Sequence, residues 1–378
     1  MKLKYIPLFI IFLFTYGLLN YYIGKVVYKS INTYFSVNQI YFWTTLSLIS
    51  LAYPLAMIFS RFNFNLLSTI LQLLGSYWMA FFLYSLILFP IITLLNALLS
   101  KFNFYSSFGK TILLSETLLV ITFFVIIGIL GHYNANKSYV NSVELNTSDV
   151  SFKEPLNIVM ISDIHLGTII GNNRLSKMVK GINELNPDIV LIAGDIIDSD
   201  LKPFLRNNMA KEFSNIKSKY GTFATLGNHD LMTNATDTIV SELEENNVKV
   251  LRDEAVLIDN SFYVIGRDDI SINRLNSQRE SLDTIVNNLD INIPKIVIDH
   301  TPTSLDESLE TGANLHFSGH THAGQLTPGN LVTERLFEID HGYLNKDNLH
   351  VVVSSGYGTW GPPLRIGSKS EIINVKIQ

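Results

Sequence analysis

Carboxylate, imidazole and amide side chains follow several short apolar runs in the C-terminal two thirds of the chain. Seven of them are candidate metal ligands: Asp163, His165, Asp195, Asn228, His300, His320 and His322. Because the chain has no cysteine, only oxygen and nitrogen ligands are available, which suits Mn²⁺, Fe²⁺ or Zn²⁺. This set is too large for one ion but suits two divalent ions, about 3.5 to 4 Å apart, that share a carboxylate. The sequence therefore predicts a two-metal centre that could clamp the attacking and leaving oxygens of a displacement.

Each candidate ligand comes directly after a run of β type. These runs are 156–162, 188–194, 222–227, 295–299 and 314–319. Since ligand sites of α/β sheets collect at the carboxyl ends of strands, the candidates are expected to meet at one edge. Singly, Asp163 and Asp195 suit ordinary turns, and a lone His300 is more often structural. His320 and His322 are a stronger signal because alternate residues of an extended segment point to the same side, and the joint occurrence of all these positions carries the prediction.

The same region alternates strand-like runs with amphipathic segments. Helices are predicted at about 174–185, 202–218 and 236–246. Further β-type runs are 255–259, 262–266, 350–356 and 371–377. The alternation predicts an α/β fold. The supply of strands predicts two sheets, or one large mixed sheet, covered by helices.

Charge divides the chain into two unlike parts. Residues 1–131 carry seven basic residues and one acid, a net charge of +6. The remainder has 21 basic and 32 acidic residues, a net charge of −11. This composition excludes a single soluble globule, a disordered chain and a disulfide scaffold. It also argues against a nucleic-acid binder, because an acidic domain lacks the basic surface that phosphate backbones require.

Four apolar stretches in the N-terminal third predict membrane spans. They cover roughly 5–24, 37–59, 66–99 and 111–131, and each has the ~20 residues needed to cross ~30 Å of hydrocarbon as a helix. The third is long, and we expect one tilted helix disturbed near Pro90. The first stretch follows Lys2 and Lys4 as in a signal peptide, but it is too long and lacks a small-residue cleavage site. The sequence therefore predicts a multi-pass membrane protein.

These spans are expected to anchor the chain rather than to transport a solute. Glu116 is the only ionisable residue within a span, and its place near the start of that span suits the membrane interface. Gln72 and Asn96 suit hydrogen bonds between helices. Basic residues in the short loops are equal in number on the two sides, so they do not assign an orientation.

The predicted domain order is a transmembrane helical region of about four spans at 1–131, a connector at 132–155 and a globular domain at 156–378. The connector is polar and rich in Asn and Ser, which suits a segment leading into one or two strands.

The motifs of the globular domain resemble those of the calcineurin-like metallophosphoesterases. The matching segments are Asp163-x-His165, Gly194-Asp195-x-x-Asp198, Gly227-Asn228-His229-Asp230, His300 and Gly319-His320-x-His322. The wording GHTHAGQ at 319–325 and GTWGPPLRIG at 358–367 is similar to the membrane-associated bacterial branch, which has N-terminal transmembrane helices. Ala323 stands where that branch more often has glycine. The resemblance covers 156–377 and implies a four-layer α/β/β/α sandwich.

The resemblance also implies roles for individual residues. One metal ion would be bound by Asp163, His165 and His322. The other would be bound by Asn228, His300 and His320, with Asp195 bridging both. His229 would be the general acid, with Asp230 as the partner that orients its imidazole or as a cap for the next segment. Asp198 is expected to hold its loop, whereas Arg365 could bind a substrate phosphate or form a structural ion pair.

These assignments predict a membrane-anchored phosphohydrolase that uses a metal-bridging hydroxide. Its substrate would be a phosphomonoester, phosphodiester or pyrophosphate, with a lipid or envelope intermediate as one candidate. The alternative is a membrane sensor or scaffold that keeps a structural metal site, and loss of a ligand would favour it. Relatives in the membrane branch usually work outside the cytoplasm, so the resemblance implies an extracytoplasmic catalytic domain in the cell membrane, which the absence of cysteine permits.

Overall fold

The computed structural model describes residues 6–62, 65–274 and 277–378. The chain divides into two compact units, Met1–Leu130 and Gly131–Gln378. The predicted start of the first span at residue 5, with Lys2 and Lys4, lies outside the described residues.

The first unit consists of helices. They are α1 (Ile6–Asn32), α2 (Gln39–Ser50), α3 (Ala52–Arg61), α4 (Asn65–Leu99) and α5 (Asn103–Asn136), the last of which continues into the second unit. Three of the described helices are long and apolar enough to cross a membrane, or four if the bent pair α2 and α3 is one span. The predicted number of about four spans therefore depends on this pair.

The stretch 37–59 was predicted to be one span, and in the structure it consists of two helices that meet at Leu51. The axes of α2 and α3 differ by 55°. Pro54 has no N–H, so it cannot donate to the Ser50 carbonyl four residues earlier. The Tyr16 hydroxyl of α1 donates to that carbonyl instead, at 2.7 Å.

By contrast, α4 runs through Pro90 as one helix of 35 residues. Near its end the Asn96 Nδ2 donates to Glu116 Oε2 of α5 at 2.8 Å. This contact gives Asn96 the role between helices that its sequence position predicted.

The second unit contains two six-stranded sheets. Their strands are β1 (Ser138–Leu145), β2 (Leu156–Ile161), β3 (Ile189–Ala193), β4 (Thr222–Thr225), β5 (Val248–Val250), β6 (Glu254–Ile258), β7 (Phe262–Gly266), β8 (Lys295–Ile298), β9 (Leu315–Ser318), β10 (Gly342–Lys346), β11 (Leu349–Val353) and β12 (Ser370–Ile377). The first sheet has the order β1-β12-β2-β3-β4-β5 and the second β10-β11-β9-β8-β7-β6. Strands β2 to β5 are parallel, as are β7, β8, β9 and β11.

Helices lie along the connections between these strands. They are α6 (Asn172–Glu184), α7 (Leu201–Arg206), α8 (Asn228–Met232), α9 (Thr236–Glu244), α10 (Leu282–Val286), α11 (Leu305–Glu310) and α12 (Asn330–Leu336). The single helix expected at 202–218 is α7 followed by a 3₁₀ segment, Met209–Asn215. The interruption is at Asn208, whose φ is 47°.

Alternating side chains divide the core of this unit into layers. Ile158 and Met160 of β2 point into a cluster between the two sheets, whereas Val159 and Ile161 point outward toward α6, as the period of two in a strand requires. A third cluster lies on the outer face of the second sheet, where α10 and α11 cover Val297 and its neighbours. The order helices, sheet, sheet, helices confirms the predicted α/β/β/α sandwich.

The sheet begins earlier than the predicted domain start at 156. Strand β1 lies inside the predicted connector 132–155 and pairs with β12 along its whole length. Exposed and half-buried residues alternate along β1. Because the exposed positions are mostly polar, the segment resembled the rest of the connector. Segment 138–145 is therefore part of the first sheet rather than a free connector.

Candidate metal centre

The seven candidate ligands emerge from the carboxyl ends of parallel strands in both sheets. Asp163 and His165 follow β2, Asp195 follows β3, and Asn228 begins α8 after β4. In the second sheet His300 follows β8, and His320 and His322 follow β9. Because the two sheets pack face to face, one cluster draws on both.

One group of ligand atoms consists of Asp163, His165 and His322, whose ligand atoms lie within 4.8 Å of one another. The His165 Nε2 is 3.1 Å from His322 Nε2. The same His322 nitrogen is 3.5 Å from Asp163 Oδ1. All three residues are buried. Two imidazole nitrogens and a carboxylate oxygen that converge in this way fit a divalent cation.

A second group consists of Asp195, His300 and His320, again within 4.8 Å. The His300 Nε2 lies 3.3 Å from Asp195 Oδ2. The Asn228 Oδ1 is 3.2 Å from that His300 nitrogen and 2.9 Å from His320 Nδ1. Asn228 thus adds an amide oxygen to the group.

Asp195 stands between the two groups. Its Oδ2 is 3.3 Å from His300 and 3.9 Å from His165 Nε2 of the first group. A third possible ligand group, His165, Asp195 and His229, places His229 at the edge of the same cluster. All seven predicted ligands therefore meet in one place.

The backbone at the cluster is unusual for residues with side chains. Five of the seven candidates have a positive φ: Asp163 (51°), His165 (51°), Asp195 (51°), His320 (72°) and His322 (52°). Residues other than glycine adopt this region rarely, and such strain collects at functional sites. Ala323 also has a φ of 48°, a conformation that glycine adopts without strain.

The positive φ angles show that the backbone at His320 and His322 is not extended. His320 and His322 were expected to point the same way from an extended segment, but both lie in a left-handed turn after β9. They enter different groups, His320 with His300 and His322 with His165.

Two glycines leave room for the carboxylates. A Cβ at Gly227 would stand 2.1 Å from Asp195 Oδ1, and one at Gly319 would stand 2.3 Å from Asp163 Oδ2. Neither position can accept a side chain without displacing a candidate ligand. This close approach gives a physical reason for glycine before Asn228 and before His320.

Burial keeps most of the imidazoles neutral. It lowers the pKa of His165 to about 4 and that of His322 well below its usual value. It also lowers the pKa of His320 to about 4. Neutral imidazole is the form that binds metal, so these histidines are ready to act as ligands.

The pair Asp195 and His300 behaves differently. Burial alone would lower the pKa of His300, but the neighbouring Asp195 carboxylate raises it well above its usual value. Burial would raise the pKa of Asp195, and the positive charge of His300 outweighs this and lowers it. The His300 Nδ1 lies 2.8 Å from the Ala193 carbonyl and donates to it, which leaves Nε2 facing the cluster.

His229 lies beside the cluster with a partner that the sequence argument did not choose. Its Nδ1 is 2.9 Å from Ser199 Oγ and 3.6 Å from Asp198 Oδ1. Burial would lower the pKa of His229, but the nearby carboxylates of Asp198 and Asp195 raise it. The carboxylate that orients this imidazole is therefore Asp198.

Asp230 was predicted to be that partner, and the structure contradicts this role. Its carboxylate accepts backbone N–H groups from Ile196 (3.2 Å), Ile197 (2.8 Å) and Gly227 (2.9 Å). It thus ties the loop after β3 to the start of α8, which is the capping alternative. Burial raises the pKa of Asp230 to about 7.

Arg365 was a candidate for binding substrate phosphate, and the structure contradicts this as well. The side chain is fully buried. Its guanidinium donates to Ser355 O, Gly356 O, Gly358 O and Ser368 Oγ. Its Nη2 also lies 3.3 Å from His322 Nδ1. Arg365 therefore supports a ligand from behind and is not available to a substrate.

Gln325 and Trp360 lie within the motif segments 319–325 and 358–367, but no role was predicted for either residue. The Gln325 side chain accepts the Trp360 N–H and donates to the Trp360 and Pro362 carbonyls. Trp360 lies close to His229, with ring centroids 6.3 Å apart. Their presence in these two motif segments was the only feature of the sequence that pointed to a role in the site.

Comparison with known proteins agrees with this geometry. The profile of the family described as calcineurin-like phosphoesterase matches residues 156–324. An uncharacterized metallophosphoesterase of Aquifex aeolicus is 31% identical over 258 residues, which cover 66% of this chain and 97% of that protein. One of Campylobacter jejuni is 29% identical over 97% of both chains.

A membrane relative is also found among vertebrates. The zebrafish (Danio rerio) protein named transmembrane protein with metallophosphoesterase domain is 29% identical over 70% of this chain, and the match spans 63% of its own length. Together with the candidate ligand groups and the apolar helices, these likenesses show that this membrane-associated chain belongs to the calcineurin-like phosphoesterase family of metal-dependent hydrolases.

Proposed function

We propose that the chain is a membrane-anchored two-metal phosphohydrolase. One divalent cation is held by Asp163, His165 and His322, and the other by Asn228, His300 and His320. Asp195 bridges them. The observation that carries this proposal is the position of Asp195, whose Oδ2 faces His300 at 3.3 Å and His165 at 3.9 Å.

Divalent cations held by these residues would supply an activated water as nucleophile and would attract the phosphate of the substrate. The side chains of the protein supply the proton donor and hold it in position. His229, raised in pKa beside Asp198, carries the proton that the leaving oxygen needs. Asp198 and Ser199 hold the Nδ1 side of its ring, which turns Nε2 toward the cluster.

The substrate class is a phosphomonoester, phosphodiester or pyrophosphate, with a lipid or envelope intermediate as the preferred candidate. The apolar helices of the first unit support a membrane-borne substrate, because they confine the site near the bilayer. The net charge of −11 beyond residue 131 disfavours nucleic acid. We place the catalytic unit outside the cytoplasm, and protease digestion of intact cells that leaves this unit whole would contradict that placement.

A sensor or scaffold with a structural metal site is the competing function. A degenerate site would lack a ligand or hold one away from the cluster, and all seven candidates here converge. This convergence favours the enzyme.

The full-length protein, purified in detergent and supplied with Mn²⁺, is expected to hydrolyse p-nitrophenyl phosphate or bis(p-nitrophenyl) phosphate. Asp195→Asn removes the shared carboxylate and should abolish this activity. Glu184→Gln is the matched control, because Glu184 is an exposed acid on α6 that pairs with Lys180. The proposal is refuted if metal-loaded wild-type protein is no more active than Asp195→Asn on a broad panel of phosphate esters.

A further inference from the structure

An exposed aromatic side chain stands beside the residue that we assign as proton donor. The Trp360 side chain is 53% exposed. Its ring meets the His229 ring edge to face, at 70° and 6.3 Å between centroids. Single exposed apolar residues are common on protein surfaces, so the position next to His229 is what requires explanation.

The backbone of Trp360 is held firmly while its indole is left free. The buried Gln325 side chain accepts the Trp360 N–H at 2.8 Å and donates to its carbonyl at 2.8 Å. The same Gln325 amide donates to the Pro362 carbonyl at 3.0 Å. These contacts fix the loop through main-chain atoms, and they leave the Trp360 side chain 53% exposed. An aromatic ring carried on a fixed loop presents an apolar surface at a lower cost in ordering the chain.

A second exposed apolar residue lies on the same short helix as His229. Met232 is three residues after His229 on α8, so the two share one helix face, and Met232 is 50% exposed. The unbranched thioether of Met adapts to irregular apolar partners. Trp360 and Met232, which we call the apolar rim, therefore flank the group that faces the leaving oxygen.

We propose that the apolar rim binds an alkyl group carried by the leaving oxygen, so that the site selects phosphate esters of long-chain, amphiphilic alcohols over those of small polar alcohols. This inference rests on the proposed role of His229 and names the substrate class for the proposed function. Trp360 is then a specificity-determining residue. An alkyl group is a better occupant than a polyanionic chain, because the unit around the rim is acidic.

Binding of phosphonates, which are not hydrolysed, tests the rim separately from catalysis. The full-length protein in nanodiscs, loaded with Mn²⁺, is titrated with ethylphosphonate and hexylphosphonate by calorimetry. We expect wild type to bind the hexyl compound about tenfold more tightly, because each added methylene gains apolar burial. Trp360→Ala should reduce this preference to under about threefold, and Trp360→Phe should keep most of it.

Leu257→Ala is the matched control, because Leu257 is a 39% exposed apolar residue on β6. It reports any partition of the hexyl chain into the nanodisc, which is the same for all variants. An unchanged preference in Trp360→Ala, or an equal loss of affinity for both phosphonates, would overturn the proposal. So would a Trp360-dependent preference for a nucleoside phosphonate over the hexyl compound. A retained rim preference in a protein that hydrolyses no ester would contradict the proposed function while supporting the rim.

Discussion

The two halves of the metal centre differ in how the protein surrounds them. The inner half, which we define as Asp163, His165 and His322, is buried throughout. The outer half, defined as Asn228, His300 and His320, includes two residues, Asn228 and His320, that are only partly buried. Asp195 belongs to both.

The inner half is also supported by a second layer of contacts. Arg365 lies against His322 while donating to three backbone carbonyls. The outer half instead opens toward solvent at Asn228 and His320. If each half holds a cation as proposed, the half that would exchange its cation and meet substrate is the outer one, because its ligands are the more exposed.

Loss of the shared carboxylate should have the largest effect. Asp195→Asn weakens both halves, so we expect a fall in kcat/KM of about 10³-fold or more. Metal content measured by mass spectrometry should fall well below that of Glu184→Gln. Two retained ions together with wild-type turnover would show that Asp195 does not bridge.

Loss of one histidine should affect one half only. His322→Ala and His320→Ala should each lose one ion and about 10²-fold in kcat/KM, in line with removal of a metal ligand. His322→Ala should also lower the melting temperature more than His320→Ala, because it leaves a cavity at a buried position. His132→Ala, which changes an exposed histidine on α5, is the control. Equal melting temperatures for the two ligand variants would remove the distinction between the halves.

Loss of the supporting guanidinium should weaken the inner half without removing a ligand. Arg365→Lys keeps the charge but cannot reach the same set of carbonyls, so we expect about 2 kcal/mol of lost stability. Denaturant unfolding measures this loss, and the cation of the inner half should dissociate more readily. Arg335→Lys changes an exposed arginine on α12 and should have no such effect. A wild-type unfolding midpoint for Arg365→Lys would contradict the supporting role.

The smallest effect is expected outside both halves, at Asp198. The Asp198 carboxylate, 3.6 Å from His229 Nδ1, raises the pKa of His229, so Asp198→Asn should lower that pKa. The proton donor is then lost at a lower pH, and the alkaline limb of the kcat profile should move to lower pH, with about a tenfold fall in kcat. Metal content should not change. Asp200→Asn, which can still cap α7, is the control, and an unmoved alkaline limb would separate Asp198 from the proton donor.

Much of the site could be predicted, because its residues are of metal-binding type and each follows a predicted strand. The partners of those residues could not be predicted in the same way. Asp230 is adjacent to His229 in sequence, yet its buried carboxylate binds three backbone N–H groups. Asp198 is distant in sequence and reaches the imidazole because the β3 and β4 loops lie side by side. Contacts between loops depend on backbone direction, which residue type does not specify.

The fold shows the same division. Short continuous apolar runs predicted the central strands, since a strand that is buried on both faces is apolar at nearly every position. Strand β1 at an exposed edge and the break at Leu51 were missed. The first has a weak apolar pattern, and the second depends on Pro54 together with a carbonyl that Tyr16 binds from another helix.

The sequence by itself determined the ligand types, the strands that carry them and the apolar helices. These features follow from side-chain chemistry and local periodicity. Only the tertiary structure decided which carboxylate lies beside His229 and that Arg365 is buried. Those outcomes depend on left-handed turns at the strand ends and on the packing of one sheet against another, which bring together residues that are far apart in the chain.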